Sequence, residues 1–136
     1  MQWRPPLITL HKEKSYENCF LINNSPVFDA EEARLNHSDH LQRVTLRLRS
    51  AERCKEAYPT ANMQDQVCAT AKDGQPHLDD FGAPLLLTTD DWYVIGVFSW
   101  FRLRDFPTSP FVFASTAHHI QWIQSVIGKS SGAENL

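Results

Sequence analysis

Residues 78–85 read Leu78-Asp79-Asp80-Phe81-Gly82-Ala83-Pro84-Leu85, and the interpretation of the whole chain turns on them. As local chemistry the stretch is a turn that opens into an apolar strand, because glycine and proline punctuate it just before Leu85. Leu85 to Leu87 and Trp92 to Trp100 then read as a hairpin, with Thr88-Thr89-Asp90-Asp91 supplying the turn. Upstream, Val44, Leu46 and Leu48 alternate with Thr45, Arg47 and Arg49, the period-two pattern of a strand with one buried face. Ser50 is placed to cap a short helix running through Glu52, Cys54 and Tyr58 and ended by Pro59. Downstream, Phe111 to Ala114 makes another strand. Ala117 to Ile127 carries Ile120, Ile123 and Ile127 at helical spacing, with Gly128 as its expected C-cap. The polar tail, residues 129–136, is expected to be disordered. Asn23 to His40, with Pro26 and a charged run from Asp29 to Arg34, is expected to be a long surface loop.

The 136 residues suit one domain with a single apolar core, and a hydrophobic fraction of 42% is that of a soluble globular protein. A formal net charge of -3 with no basic patch argues against nucleic acid or an anionic membrane as partner. No run of about eighteen apolar residues exists to span a bilayer, and the Met1 end lacks the apolar core of a signal peptide.

The turn also resembles the Gly-Asp-Ser-Gly-Gly-Pro-Leu motif of trypsin-like serine proteases, with Phe81 where the catalytic serine stands. Other segments agree in order and spacing. Leu41-Gln42-Arg43-Val44-Thr45-Leu46, with Cys54 and Cys68-Ala69, is similar to the family's Leu-Gln strand and Cys-Ala-Gly element. Trp92-Tyr93-Val94-Ile95-Gly96-Val97-Phe98-Ser99-Trp100 is similar to its Trp-Tyr-Leu-Ile-Gly-Ile-Val-Ser-Trp-Gly strand. Pro110-Phe111-Val112-Phe113 and Ile120-Gln121-Trp122-Ile123 are similar to Pro-Gly-Val-Tyr and the closing Ile-Asp-Trp-Ile helix. The resemblance implies an all-β fold, an antiparallel six-stranded Greek-key barrel with a C-terminal α-helix. That barrel is the second half of the family's double barrel, spanning residues 1–128, with Trp3 to Leu10 resembling the connection into it. Nothing resembles the first barrel's Ala-Ala-His-Cys, Asp-Ile-Ala-Leu or Ile-Val-Gly-Gly motifs. The family resemblance also implies a secreted or extracellular protein, which conflicts with the absence of a leader and would be reconciled by a segment upstream of this sequence.

The site residues follow position by position. A phenyl ring has neither a proton to lose nor a lone pair to attack a carbonyl, so acyl-enzyme chemistry cannot begin at Phe81. Asp79 puts a carboxylate where a glycine N–H would stabilise an oxyanion, and its charge opposes the developing negative charge. Asp80 and Gly82 remain from the motif. Without a new N-terminal amine to receive, Asp80 is left as a local cap or a surface charge. Gln75 stands at the base of the specificity pocket, and Phe101 and Phe111 replace glycines of its walls, so the pocket is expected to be plugged. Phe81 as a simple core aromatic is the plainer alternative.

Of the three cysteines, Cys54 and Cys68 match a family disulfide, worth on the order of 3 kcal/mol in the chain-entropy model. Cys19 loses its usual partner, whose place is taken by Leu87, and is left either as a free, half-buried thiol or as the site of an intermolecular bridge. The pocket disulfide is missing too, with His77 in its first position. His118-His119 are adjacent and point about 100° apart on a helix, and His37 and His40 lack partners at ligand spacing, so no metal or cofactor is expected. Asn23 and Asn36 open N-glycosylation sequons, with Pro26 weakening the first. The function expected is that of an inactive protease homologue, a protein-binding module whose partner covers the face left by a missing first barrel. The alternatives are a truncated part of a serine endopeptidase and an unstable fragment with no role of its own.

Overall fold

The computed structural model describes residues 16–23, 27–29, 34–36, 42–74, 76, 80–102 and 108–134, with side chains described except at 16–18, 23, 27–29, 34–36 and 129–134. Alternation decides the strand faces. In β4 (Gln42–Leu48), Val44, Leu46 and Leu48 are buried while Arg43 is exposed, as a period-two side-chain repeat requires. The same rule operates in β6 (Pro84–Thr88), where Leu85 and Leu87 point inward, whereas in β7 (Trp92–Trp100) the repeat slips by one residue, so that Ile95 and Phe98 are buried with Val97 exposed between them.

With β1 (Tyr16–Asn23), β5 (Gln66–Asp73) and β8 (Phe111–Ser115), these strands close a barrel in the spatial order β1-β4-β5-β8-β7-β6. Every neighbouring pair is antiparallel. The ring closes through β1, where Cys19 lies opposite Leu46 on one side and Leu87 on the other. The chain goes from β5 across to β6 and returns through β8, the non-sequential crossing of a Greek key. This is the expected six-stranded barrel with a C-terminal helix. Its core is built from Leu21, Leu46, Leu85, Ile95, Phe98 and Phe113, among others.

One contact inside the barrel leaves no room for a side chain. A Cβ added at Gly96 on β7 would meet the Phe113 Cβ at 2.9 Å and the Ala114 carbonyl oxygen at 3.3 Å. Glycine is therefore required where β7 and β8 approach.

Ser50 caps α1 (Ala51–Ala57), its side chain accepting the Arg53 N–H at 3.3 Å, and the helix stops at Tyr58, since a residue before proline is disfavoured in helical geometry. Cys54 of α1 and Cys68 of β5 form the expected disulfide, with Cα atoms 5.8 Å apart, and it pins the helix to the barrel wall. The same small cluster buries Tyr58 and Val112.

Three expectations are corrected. The segment 23–40 is not wholly loop, because β2 (Val27–Asp29) and β3 (Arg34–Asn36) pair into a two-stranded sheet apart from the barrel. Three residues per strand are too few to show a hydrophobic period, and the charged run between them masked the pairing. The C-terminal helix α2 is Thr116–Glu134 and does not end at Gly128. Gly128 is not among the glycines with positive φ, so it lacks the left-handed conformation that would end the helix, and no proline follows to break the ladder. The expected disorder from residue 129 thus gives way to helix as far as Glu134. Finally, Cys19 is fully buried, so a bridge to another chain is not open to it in the folded barrel.

Two consequences are measurable. Gly96→Ala overpacks the β7–β8 contact and should cost about 1–3 kcal/mol in urea unfolding. Gly128→Ala, with nothing within 4 Å, should stabilise by about 1 kcal/mol. Burial also pushes the Cys19 thiol from its ordinary 9.0 up to about 11, with a backbone hydrogen bond at Leu48 acting weakly the other way. Below pH 9 folded and unfolded chains both hold the proton. Between 9 and 11 only the unfolded chain releases it, so stability should fall through that window by up to about 3 kcal/mol. A Cys19→Ala variant should show a flatter profile over the same window, and parallel profiles would contradict the assignment.

Candidate functional site

Asp80 to Ala83 forms a tight turn closed by the Ala83 N–H donating to the Asp80 carbonyl at 2.9 Å. Its third residue, Gly82, takes φ +90°, which glycine adopts without strain. The turn is tied to β7 on both sides. The Gly82 N–H donates to the Phe98 carbonyl and the Phe98 N–H donates to the Ala83 carbonyl, each at 2.9 Å. Such a turn projects its second side chain outward, and Phe81 is 46% exposed. The alternative of a core aromatic at this position therefore fails. Asp80 by contrast is buried, which removes the surface-charge reading of that residue.

The Phe81 ring leans on the barrel. Its centroid lies 5.0 Å from that of Phe98 and 6.0 Å from that of Phe101, the latter pair nearly parallel at 26°. Phe101 in turn packs 5.4 Å from Phe111, and Phe98 touches Phe101, Phe111 and Phe113 at 6.0, 6.0 and 5.2 Å. These rings form one continuous apolar body from the turn into the core. Pairs of this kind contribute about 0.5–1.5 kcal/mol beyond the area they bury. Of the residues singled out in the sequence, Phe81, Phe101 and Phe111 are thus brought together. Gln75, His77 and Asp79 lie outside the described residues. The strands holding Asn23 and Asn36 are described but their side chains are not.

Phe98 was not singled out in the sequence, yet it is the ring that joins the others. The signal was present: the family strand quoted above has valine there, and a phenyl on the inward face must displace something. The end of β7 is held beside this body by Trp100, which stacks edge-on against Tyr58 at 4.8 Å and donates its indole N–H to the Gln66 side-chain oxygen at 2.6 Å. Tyr58 in turn donates its hydroxyl to the Pro110 carbonyl, and the Arg102 guanidinium sits 5.0 Å from its ring centroid. Residues flanking Phe101 and Phe111 are therefore anchored from the disulfide side of the barrel.

The arrangement offers little chemistry. No hydroxyl or thiol stands at the corner of the turn, and the Gly82 N–H is committed to Phe98. Among the described residues no three His, Cys, Asp or Glu side chains converge as a metal site. His118 and His119 face each other at 5.1 Å between ring centroids; Ser115 Oγ accepts the His118 N–H at 3.3 Å, and the His119 Nδ1 lies 2.8 Å from the Ser115 carbonyl oxygen. They belong to the start of α2. An open groove of about 310 Å³ lies between α1 and the approach to β8, lined by Arg49, Arg53, Glu56, Ala57, Thr70, Thr108 and Pro110, and none of the clustered rings lines it. No helix among the described residues is long and apolar enough to cross a membrane.

Comparison with known proteins agrees with this geometry. Residues 29–123 match the model of the family described as Trypsin. The chain is similar to kallikrein-1E2 of the horse, Equus caballus, with 38% identity over 98 residues, covering 69% of this chain and 36% of the kallikrein. Among solved structures it is similar in fold to neuropsin, a serine protease expressed in the limbic system of mouse brain. The TM-score is 0.67 at 22% identity, over 85% of this chain and 50% of that one. The chain thus spans about a third to a half of the length of these relatives. On the family match, the kallikrein identity and the closed barrel together, this chain belongs to the trypsin family of serine proteases.

Proposed function

We propose that this chain is a non-catalytic member of the family, a pseudoprotease that works by binding protein. The observation that carries the proposal is the Phe81 ring, at the corner of the turn where the family places its nucleophile, resting on Phe98 and Phe101. Nucleophile loss alone would be one substitution. Its contact with Phe101, which in turn packs on Phe111, makes the changes a single packed unit, since apolar area at the turn is buried against apolar area in the wall. Asp79 in the oxyanion position adds charge of the wrong sign for acyl transfer.

Binding is supported by what the barrel leaves uncovered. Val94 and Val97 are 43% and 42% exposed on β7, and Trp92 is 56% exposed beside them. Apolar groups gathered in this way on a closed barrel mark an interaction surface. The Cys54–Cys68 bridge supports a secreted or extracellular location, where disulfides persist, and with it glycosylation at Asn36 in preference to Asn23, which Pro26 disfavours. A second reading, a portion of an active serine endopeptidase, is favoured by the 36% and 50% coverage of the relatives. Against it stands Phe81, because the missing serine belongs to this barrel and no added segment can supply it.

The endogenous polypeptide carrying this sequence should take up no fluorophosphonate probe at any residue of this chain. Labelling would overturn the proposal. The packed unit makes an independent prediction for stability. Phe111→Ala empties a buried site and should cost about 3–5 kcal/mol, whereas Phe81→Ser, at a half-exposed turn, should cost about 1 kcal/mol or less by urea unfolding. Equal losses would mean that Phe81 is a core residue after all.

A further inference from the structure

We infer that the open groove beside α1 recognises a charged segment of a partner protein, one whose acidic side chain reaches Arg49 and Arg53 while a neighbouring basic side chain reaches Glu56. The inference deepens the protein-binding reading above and rests on it. All three residues line the groove, whose volume is about 310 Å³. Two cations against one carboxylate make it locally positive, on a chain whose net charge is -3.

The groove is held in shape from several sides. Two ties fix Arg49 to β5: its backbone N–H donates to the Cys68 carbonyl and its Nε donates to the Thr70 hydroxyl, each at 2.9 Å. A guanidinium held through Nε keeps its plane, and that planar fork matches a carboxylate. The Cys54–Cys68 disulfide joins α1 to the same strand, which sets Arg53 and Glu56 beside Arg49. On the β8 side the wall is Pro110, whose carbonyl accepts the hydroxyl of Tyr58, the residue that follows α1. Helix, β5 and the approach to β8 are thus cross-tied around the groove, so little ordering is left to oppose binding.

The charges select the occupant. Arg53 and Glu56 stand three apart on α1, a spacing at which opposite charges pair on a helix surface. No ion pair joins them among the described residues, and both are exposed. An apolar occupant would strip water from three charged groups and return nothing for it. A polyanion of uniform charge would meet Glu56. A peptide that carries both signs satisfies all three side chains.

The test is an NMR titration of the 136-residue chain, disulfide intact, with the peptide acetyl-Gly-Glu-Gly-Lys-Gly-amide. Saturable shifts of the Arg49, Arg53 and Glu56 amides are expected at millimolar peptide. Glutamine in place of the peptide's glutamate, or of its lysine, should weaken binding by about threefold or more. Arg53→Gln should remove most of the preference for glutamate and keep that for lysine, and Glu56→Gln should do the reverse. Lys55→Gln, on the same helix but outside the groove, should leave both preferences within about twofold. No saturable shift, equal shifts from the three peptides, or loss of both preferences in Lys55→Gln would overturn the inference. So would heparin producing the same shifts at lower concentration than the peptide, which would assign the groove to a sulfated polysaccharide. Where the endogenous polypeptide is longer, the titration is repeated on it, and a groove closed to the peptide there would give the site to that polypeptide's own chain. Fluorophosphonate labelling bears on inactivity and is unaffected by any of these results, so failure of one proposal is distinguishable from failure of the other.

Discussion

Closure of the sheet through β1 is the constraint on which the remaining features depend. Because Cys19, Phe20 and Leu21 are paired with β4 on one side and β6 on the other, no barrel strand can shift register without displacing the rest. The interior is then a fixed volume, filled by alternate side chains of all the barrel strands. Within it the close approach of Gly96 to Phe113 decides which residues fit. Packing at this density transmits a change at one position to its neighbours.

That fixed volume explains why the substitutions around the turn go together. Phe98 and Phe111 enlarge the inward contents of β7 and β8, and Phe101 continues the same apolar body beyond the strand end. The turn carrying Phe81 is hydrogen-bonded to Phe98 through the backbone and also touches it through the ring. The turn carrying Phe81 and the cluster of Phe98, Phe101 and Phe111 are thus mechanically one object in this chain. On the proposed reading, a region that in an active protease needs open space and exposed polar groups has become apolar and packed. The same strands that bury Leu85, Leu87 and Ile95 display Val94 and Trp92 on their other side.

Much of the fold was legible where a physical period was long enough to read. The alternation from Val44 to Leu48, the hairpin across Thr88–Asp91, and the helix bounded by Ser50 and Pro59 each carried their own signal. The pairing of Cys54 with Cys68 was implied by the family resemblance rather than by the residues themselves, and the structure contains it. The short β2–β3 pair was illegible because its strands are too short for a period to emerge among charged neighbours. The end of α2 was misread because a glycine stops a helix only when it takes the left-handed conformation, which is set by the surrounding chain.

For the candidate site, single positions carried the expectation on which the proposed reading rests: no hydroxyl at Phe81 and bulk in place of open space at Phe101 and Phe111. The sequence by itself determined that this is a trypsin-type barrel and that residue 81 is a phenyl ring rather than a hydroxyl, because side-chain chemistry is local to the residue. Only the tertiary structure decided that Phe81 stands half in solvent while Asp80 is buried, and that Phe98 joins the rings into one cluster. Tertiary structure also buried Cys19 beside Leu87 and set the Arg43 guanidinium over the Phe20 ring. Those relations depend on which strands lie side by side once the barrel closes, and cross-strand neighbours far apart in the chain leave no mark in its local pattern.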